Sequence, residues 1–582
     1  MTTPTICRSP NRPTIMGTRH MVAAGHYLAA QAGLQILEAG GNAVDAGVAA
    51  GLALGVVESE YVGVAGVAPI LIRMAESGEM ATIDGLGTWP NAASCDYFRE
   101  HHGGEVPHGI LRTVVPGAPD AWITALELFG TLPFRDAAAA AIRLARDGFP
   151  MYPMMAELLE AGRGGYEHWP SSAAIYLPGD RAPEVGTLFI QSDLGAMLQY
   201  MADEEQAAAT KGRKEGLQAA RDAFYRGDVA AKIVRFQEEN GGLLAADDLA
   251  NYRATVEQPL RVRFGDVDVF GCGPWCQGPM MLQALSVLDG IDLAALGHNS
   301  TDYVHTVAET IKLSAADRHA YYGDPKFVDV PMETLLSDAY AKARRNQIRA
   351  GEAWPEMPPA GEIAGRSASA SGAAASGAPP KFPTLDTSYV CVVDAAGNAF
   401  SGTPSDGSMG APVVPGTGVV PSSRGGQSWV DPGHPSSIAP GKRPRLTPNP
   451  ALAMRDGDFV MPFGTPGHDV QTQVMLQVFL NMFVFDMEPQ TAIEAPRFVS
   501  YSFPSSSMPH ESHPGLLHLE PPITEDVFAA LGKRGHVVEW WPTEGSFYHQ
   551  SLNCVCVVHA DLKTGIKRGA ADSRRPAYAV GW

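Results

Sequence analysis

The sequence predicts an α+β fold in which helices flank two groups of strands. Three observations carry this prediction. Residues 27–58, "YLAAQAGLQILEAGGNAVDAGVAAGLALGVVE", have the period of two successive helices. Several later segments alternate apolar and polar residues with turn glycines between them, as hairpins do. Between the two strand groups, residues 351–383 lose apolar periodicity and become rich in Pro, Gly, Ala and Ser.

In chain order, Leu28, Ala32, Gln35 and Ile36 begin one helical face, Gly40 and Gly41 end that helix, and Asn42 is placed to cap the next. The second helix, 43–54, is apolar nearly all round and therefore predicted to be buried. Residues 68–85 read as a hairpin turning at Glu76-Ser77-Gly78, and 259–273 as paired strands. "PFRDAAAAAIRLARDGFP" and "DYVHTVAETIKLSAADRHAYYGDP" read as amphipathic helices. The composition of 351–383 predicts a mobile linker, either a domain boundary or a surface loop within one domain. Beyond it come "SYVCVVDAAGNAFSG" with a turn at Gly397-Asn398, the strand "DGDFVMPFGTPG" and the helix "DVQTQVMLQVFLNMFVF". A helix followed by a strand and a final hairpin complete the chain.

Composition narrows the function. The 582 residues are 45% hydrophobic and 18% charged, enough to bury a large core. With 43 basic against 63 acidic residues the net charge is −20, which argues against nucleic acid as a partner. No run of about 18 apolar residues predicts a membrane span, and the N-terminus has no secretory pattern, so a cytoplasmic protein is expected. Cys272 and Cys276, and Cys554 and Cys556, lack matching second pairs. His510, His513 and His518 do not form H-E-x-x-H. Buried free thiols and no metal or cofactor are the expectation. There is no G-x-S-x-G elbow and no intact phosphate-binding loop; "GCGPWCQGP" reads equally as a structural turn or a ligand loop.

The chemistry-bearing candidate is Thr387. A strand threonine is ordinarily only a β-former. Here, however, the linker ends just before it, Asp386 precedes it, and Ser388, Thr403 and Ser405 lie within two strands. Breaking the Asp386–Thr387 bond would place a new α-amine beside the Thr387 hydroxyl. Such an amine, with a pKa of roughly 8, can act as the base that activates it.

From about Val22 to Arg575 the chain resembles the γ-glutamyltransferases (γ-glutamyltranspeptidases, glutathione hydrolases), which are N-terminal nucleophile hydrolases. The blocks that carry the resemblance include "AAQAGLQILEAGGNAVDAGVAAGLALGVVE", "TVVPGAPDAWITALELFGTLPF", "AETIKLSAADRHAYYGDP", "TSYVCVVDAAGNAFS", "GKRPRLTPNPAL" and "GTPGHDVQ", in family order. The resemblance implies a four-layer αββα sandwich with strands from both halves in one core. It also implies self-cleavage into a large chain, 1–386, that includes the linker at about 351–386, and a small chain, 387–582; these remain associated. Thr387 matches the nucleophile, and Thr403 and Ser405 match flanking hydroxyls. Gly467 and His468 match the pair whose backbone N–H groups form the oxyanion hole, each donor supplying about 3–4 kcal/mol.

The chain departs from the family pattern in the parts that grip a glutamyl group. Leu86, in "DGLGTWP", stands where the family carries an arginine for the α-carboxylate. Near "SSRGGQSW" stand Arg424 and Gln427 but no acid for the α-amine, and Leu446-Thr447 replaces a Ser-Ser pair. Arg445 first, and Arg424 next, are then the expected anchors for a different anionic acyl group, or else two surface arginines. The resulting expectation is an autoprocessing amide hydrolase acting on γ-glutamyl or other small anionic amides such as oxamate, with water as acceptor. The alternative is an uncleaved, inactive homologue with a binding or structural role.

Overall fold

The structure, a computed structural model, describes residues 10–366, 386–541 and 553–582. Two seven-stranded sheets form its centre, and each draws strands from both sides of the Asp386–Thr387 bond. One runs, in spatial order, Tyr578–Gly581, Met21–Ala24, Val390–Val393, Ala399–Gly402, Ile70–Arg73, Met80–Ile83 and Val256–Glu257. The other runs Ile15–Gly17, Lys567–Ala571, Cys556–Asp561, Phe459–Gly464, Ala451–Arg455, Val267–Gly271 and Leu260–Phe264. All pairings within these two sheets are antiparallel.

The period-2 alternation of the strands builds four layers. Cys391 and Val393 face Leu452, Val460 and Cys556 of the opposite sheet. Val390 and Val392 instead join the core formed with the helices Tyr27–Glu38, Ala43–Val57 and Ala118–Phe129. On the far side, Val269, Ala453 and Met461 pack against the helices Gly278–Leu288, Thr301–Tyr321 and Gln471–Phe483. The arrangement is thus an αββα sandwich. The predicted capping of the second helix is present: Asn42 accepts from Val44 and Asp45 N–H, and Asp45 reaches back to the Asn42 N–H at 2.9 Å. The predicted cysteines are buried free thiols at 95, 272, 276, 391, 554 and 556.

Two expectations are corrected by one feature. Thr301–Tyr321 is not amphipathic; its residues are buried from Tyr303 on, apart from Thr306. Its polar stripe binds the beginning of the predicted linker. Glu309 accepts from the Trp354 N–H (2.9 Å), Lys312 donates to the Trp354 carbonyl (2.8 Å), and Asp317 accepts from the Gly361 N–H (2.7 Å). Residues 351–366 are therefore pinned to the body rather than free. Residues 367–385 of the predicted linker lie outside the described residues. A three-stranded sheet of Phe498–Ser500, Leu516–Leu519 and Val537–Trp540, with one parallel pairing, was not predicted. Among the described residues no helix is long and apolar enough to cross a membrane.

Candidate active site

The hairpin register assembles the first part of the site. Val390 pairs with Gly402, and the turn between them uses Gly397 at φ 85°. Continuing that register three residues outward sets Thr387 opposite Ser405, with both side chains on one face. The Thr387 and Ser405 hydroxyl oxygens are 2.6 Å apart. The neighbouring Ser388 N–H is held by the Pro404 carbonyl at 2.9 Å, and the Thr387 N–H by the Tyr61 carbonyl at 2.8 Å.

Thr387 is fully buried and has φ 92°. That is a left-handed conformation which a β-branched residue adopts only under strain, at a cost of about 1–3 kcal/mol. Its hydroxyl donates to Asp386 Oδ1 at 2.9 Å. Ser405 in turn accepts from the Arg424 guanidinium. Since each hydroxyl has one proton, the chain of donors runs from Arg424 to Ser405, from Ser405 to Thr387 and from Thr387 to Asp386.

Arg424 comes from the short 3₁₀ turn Arg424–Gln427, clamped against Trp89 of "DGLGTWP": a Cβ on Gly425 would lie 2.5 Å from that ring. The guanidinium is 3% exposed and meets two carboxylates, Asp386 at 2.5 Å and Asp406 at 2.8 Å. Burial pushes the Asp406 carboxyl up against the pull of Arg424, and the adjacent Asp386 adds to the rise. Ser422 donates to Asp406 at 2.5 Å. Thr403, in contrast, has a buried hydroxyl without a hydrogen-bond partner among the described residues.

The second part of the site follows the strand Phe459–Gly464. Gly464 lies under the Tyr389 ring, two residues from Thr387 in sequence, and the chain then turns through Gly467 at φ 117° and His468 at φ 57°. Only glycine fits at 467, because a Cβ would lie 1.7 Å from Asn553 Oδ1. Among the described residues, no acceptor takes the Gly467 or His468 N–H. Free N–H groups entering a helical segment, His468–Val470 and then Gln471–Phe483, suit an anionic oxygen. The His468 ring bridges Asp469 (2.9 Å) and Ser507 (2.6 Å), and Asp469 pairs with Arg318 at 2.5 Å. Burial works to raise Asp469, but Arg318, His468 and Ser506 outweigh it and hold the carboxyl well below its ordinary range.

The gamma-glutamyltranspeptidase family model matches residues 29–582. The chain belongs to that family. It is 35% identical over 537 residues to the Acylase ACY 1 proenzyme of Pseudomonas sp. (strain SE83), covering 90% of this chain and 88% of that one. The solved structure of LmbA2991HD superposes with a TM-score of 0.92 at 36% identity, covering 99% of this chain and 100% of that one. The cephalosporin acylase of Bacillus halodurans superposes with a TM-score of 0.83 at 28% identity, covering 100% and 99%. The chain is accordingly an N-terminal nucleophile hydrolase of the gamma-glutamyltranspeptidase family.

The predicted substrate-side residues separate in the structure. Leu86 is fully buried in an apolar cluster with Val67, Cys272, Trp275, Cys276 and Leu446; it is core. The "GCGPWCQGP" loop contributes to the same cluster and is structural, while its Gln277 donates to the Thr447 and His468 carbonyls at 2.9 and 2.7 Å. Gln427 and Thr447 bond to each other twice, at 2.9 and 3.1 Å. Neither Arg424 nor Arg445 is a surface residue. Arg445 is 1% exposed, donates to the Arg318 carbonyl at 2.9 Å and leaves Nε and Nη2 without a hydrogen-bond partner among the described residues. Burial, reinforced by Arg318, pushes its pKa down to about 9. The contacts thus put Arg424, rather than Arg445, beside Thr387 and Ser405.

His510 is stacked on Trp429, whereas His518 meets Glu539, so the histidines of "HESHPGLLH" do not converge. His305, Glu309 and His536 do come together, but the Lys312 ammonium, 2.8 Å from Glu309, already supplies the cation. Sequence reading missed Asp406, Asp469, Ser507 and Asn553. Asp406 and Asp469 had a signal, each standing directly after a predicted site residue, Ser405 and His468.

Proposed function

We propose that this chain cuts itself between Asp386 and Thr387, and that the freed Thr387 hydrolyses small amides with an anionic acyl group through an acyl-threonine ester. The observation that carries this reading is the Thr387 hydroxyl, held between a carboxylate acceptor at 2.9 Å and a serine hydroxyl at 2.6 Å, next to the bond to be broken. In the precursor, Asp386 takes the hydroxyl proton as Thr387 Oγ1 bonds to the Asp386 carbonyl carbon. The C–N bond breaks and the nitrogen receives the proton, becoming the α-amine. Water then hydrolyses the ester, leaving the Asp386 carboxylate and the free hydroxyl. Cleavage also removes the peptide group that strains Thr387 at φ 92°.

In turnover the α-amine accepts the proton from Thr387 Oγ1, which bonds to the substrate carbonyl. The Gly467 and His468 N–H groups take the developing oxyanion, and the leaving amine departs with the proton. Water completes hydrolysis of the ester. The relative named as a proenzyme supports processing. Strands from both halves interleave in both sheets, which supports continued association of the cut chains. The burial of Leu86, at the position where the resemblance implies the arginine for a glutamyl α-carboxylate, supports an acyl group other than γ-glutamyl. A γ-glutamyl anilide is therefore expected to fall below about 10⁴ M⁻¹s⁻¹ in kcat/KM.

Mass spectrometry of enzyme quenched during turnover of a slow amide tests this. The acyl mass should sit on Thr387 of the chain 387–582, and Thr387→Ala should remain one uncleaved, inert chain. An adduct elsewhere, or turnover by Thr387→Ala, would contradict the proposal.

A further inference from the structure

The Asp386 carboxylate bridges the Arg424 guanidinium and the Thr387 hydroxyl, at 2.5 and 2.9 Å. Its position is conditional. Asp406 is Arg424's permanent partner from within the small-chain half, whereas Asp386 belongs to the large-chain half and, at 23% side-chain exposure, lies nearer the outside. After the Asp386–Thr387 bond is hydrolysed, only non-covalent contacts keep Asp386 there. Its departure leaves a carboxylate-shaped vacancy between Arg424 Nη2 and Thr387 Oγ1, both of which are bonded to Ser405 Oγ. A guanidinium so placed favours refilling by another carboxylate, because planar N–H donors match carboxylate oxygens and are costly to leave buried without them.

We propose that Asp386 in the precursor occupies the acyl-carboxylate slot of the mature enzyme, and that Arg424 with Ser405 there binds the distal carboxylate of a four-carbon dicarboxylic mono-amide. The inference rests on Thr387 being the nucleophile. The spacing comes from Asp386 itself. Its scissile carbonyl carbon and its side-chain carboxylate carbon are separated by Cα and Cβ, so the first acyl group Thr387 attacks is a substituted succinyl group. The slot also touches the nucleophile directly, which suits a short acyl chain. A glutaryl or adipyl group has one or two more carbons to fold into the same gap. A zwitterionic acyl group is disfavoured as well, because Asp406, the adjacent acid, is already bound by Arg424, Ser422 and Ser423.

Calorimetric titration with succinate, glutarate and adipate tests the slot without requiring turnover. The processed wild-type enzyme should bind succinate at least about tenfold more tightly than either longer diacid. Uncleaved Thr387→Ala, with Asp386 still in place, should show no succinate binding. The equally uncleaved double variant Asp386→Ala/Thr387→Ala should gain it. Equal binding to the processed enzyme and to uncleaved Thr387→Ala, no gain in the double variant, or preference for a longer diacid would overturn the proposal. Hydrolysis of succinyl and butyryl p-nitroanilides, run in parallel, separates the two readings. Succinate binding without turnover of either anilide removes the amidase reading and leaves the slot standing. Equal turnover of both anilides without a succinate preference removes the slot and leaves the amidase.

Discussion

Arg443 and Arg424 are both buried arginines surrounded by acids, yet their partners differ in kind. Arg443 pairs with Asp84 and Asp324, each at 2.8 Å, and with Glu257 at 3.4 Å. All three acids precede the Asp386–Thr387 bond and are held there by folded elements, so Arg443, which follows it, is a permanent rivet between the two parts of the sequence. Arg424 divides its charge between Asp406, which stays, and Asp386, which proposed processing releases. A buried cation whose neutralisation is fixed stabilises the fold. One that gives up one of two carboxylates, as the proposed processing would have Arg424 do, is left with guanidinium donors ready for a ligand.

The comparison breaks most visibly at Arg443. Arg443→Met strands Asp84 and Asp324 in the interior and should cost about 3–5 kcal/mol of stability, read from the denaturant midpoint, while leaving the preference for anionic over neutral amides unchanged in the protein that remains folded. Arg424→Met should reverse the pattern. Catalytic efficiency toward anionic amides should fall by about 2–4 kcal/mol relative to neutral ones, measured as the ratio of kcat/KM values. If the two variants behave alike, the distinction between permanent and conditional pairing is wrong.

A smaller effect concerns two buried acids in which burial outweighs the pull of Arg575. Burial first, then Glu58, push the Glu60 carboxyl from its ordinary 4.5 up to about 8; burial likewise pushes Glu58 up to about 6. The folded state therefore holds protons that the unfolded state has released, and stability falls as pH rises between 4.5 and about 8. Glu60→Gln should flatten the decline of Tm, most clearly between pH 6 and 8. An unchanged slope would show that Glu60 is not the group responsible.

Local pattern made much of the fold legible. Turn glycines and alternation placed the hairpins, and the Asn42 cap placed the wholly buried helix. The same pattern misread Thr301–Tyr321 and residues 351–366 together. Glu309, Lys312 and Asp317 look like a solvent face in sequence, and the Pro- and Gly-rich segment looks free, because the contacts between them join positions about 40 residues apart. At the site, Thr387 and Ser405 were legible because hairpin register is local. The role of Asp386 as Arg424's partner was not, since that contact crosses 38 positions of sequence and depends on a turn braced by Trp89. The sequence put Arg445 ahead of Arg424 as the anchor, and only burial and contacts reversed that order.

The central claim is the cut before Thr387. Intact-mass measurement of freshly purified wild-type protein, with N-terminal sequencing of the smaller chain, tests it most directly. The account predicts two chains, 1–386 and 387–582, the smaller beginning Thr-Ser-Tyr-Val-Cys. A single uncut chain of 61.7 kDa, or a smaller chain beginning at any other residue, would contradict it.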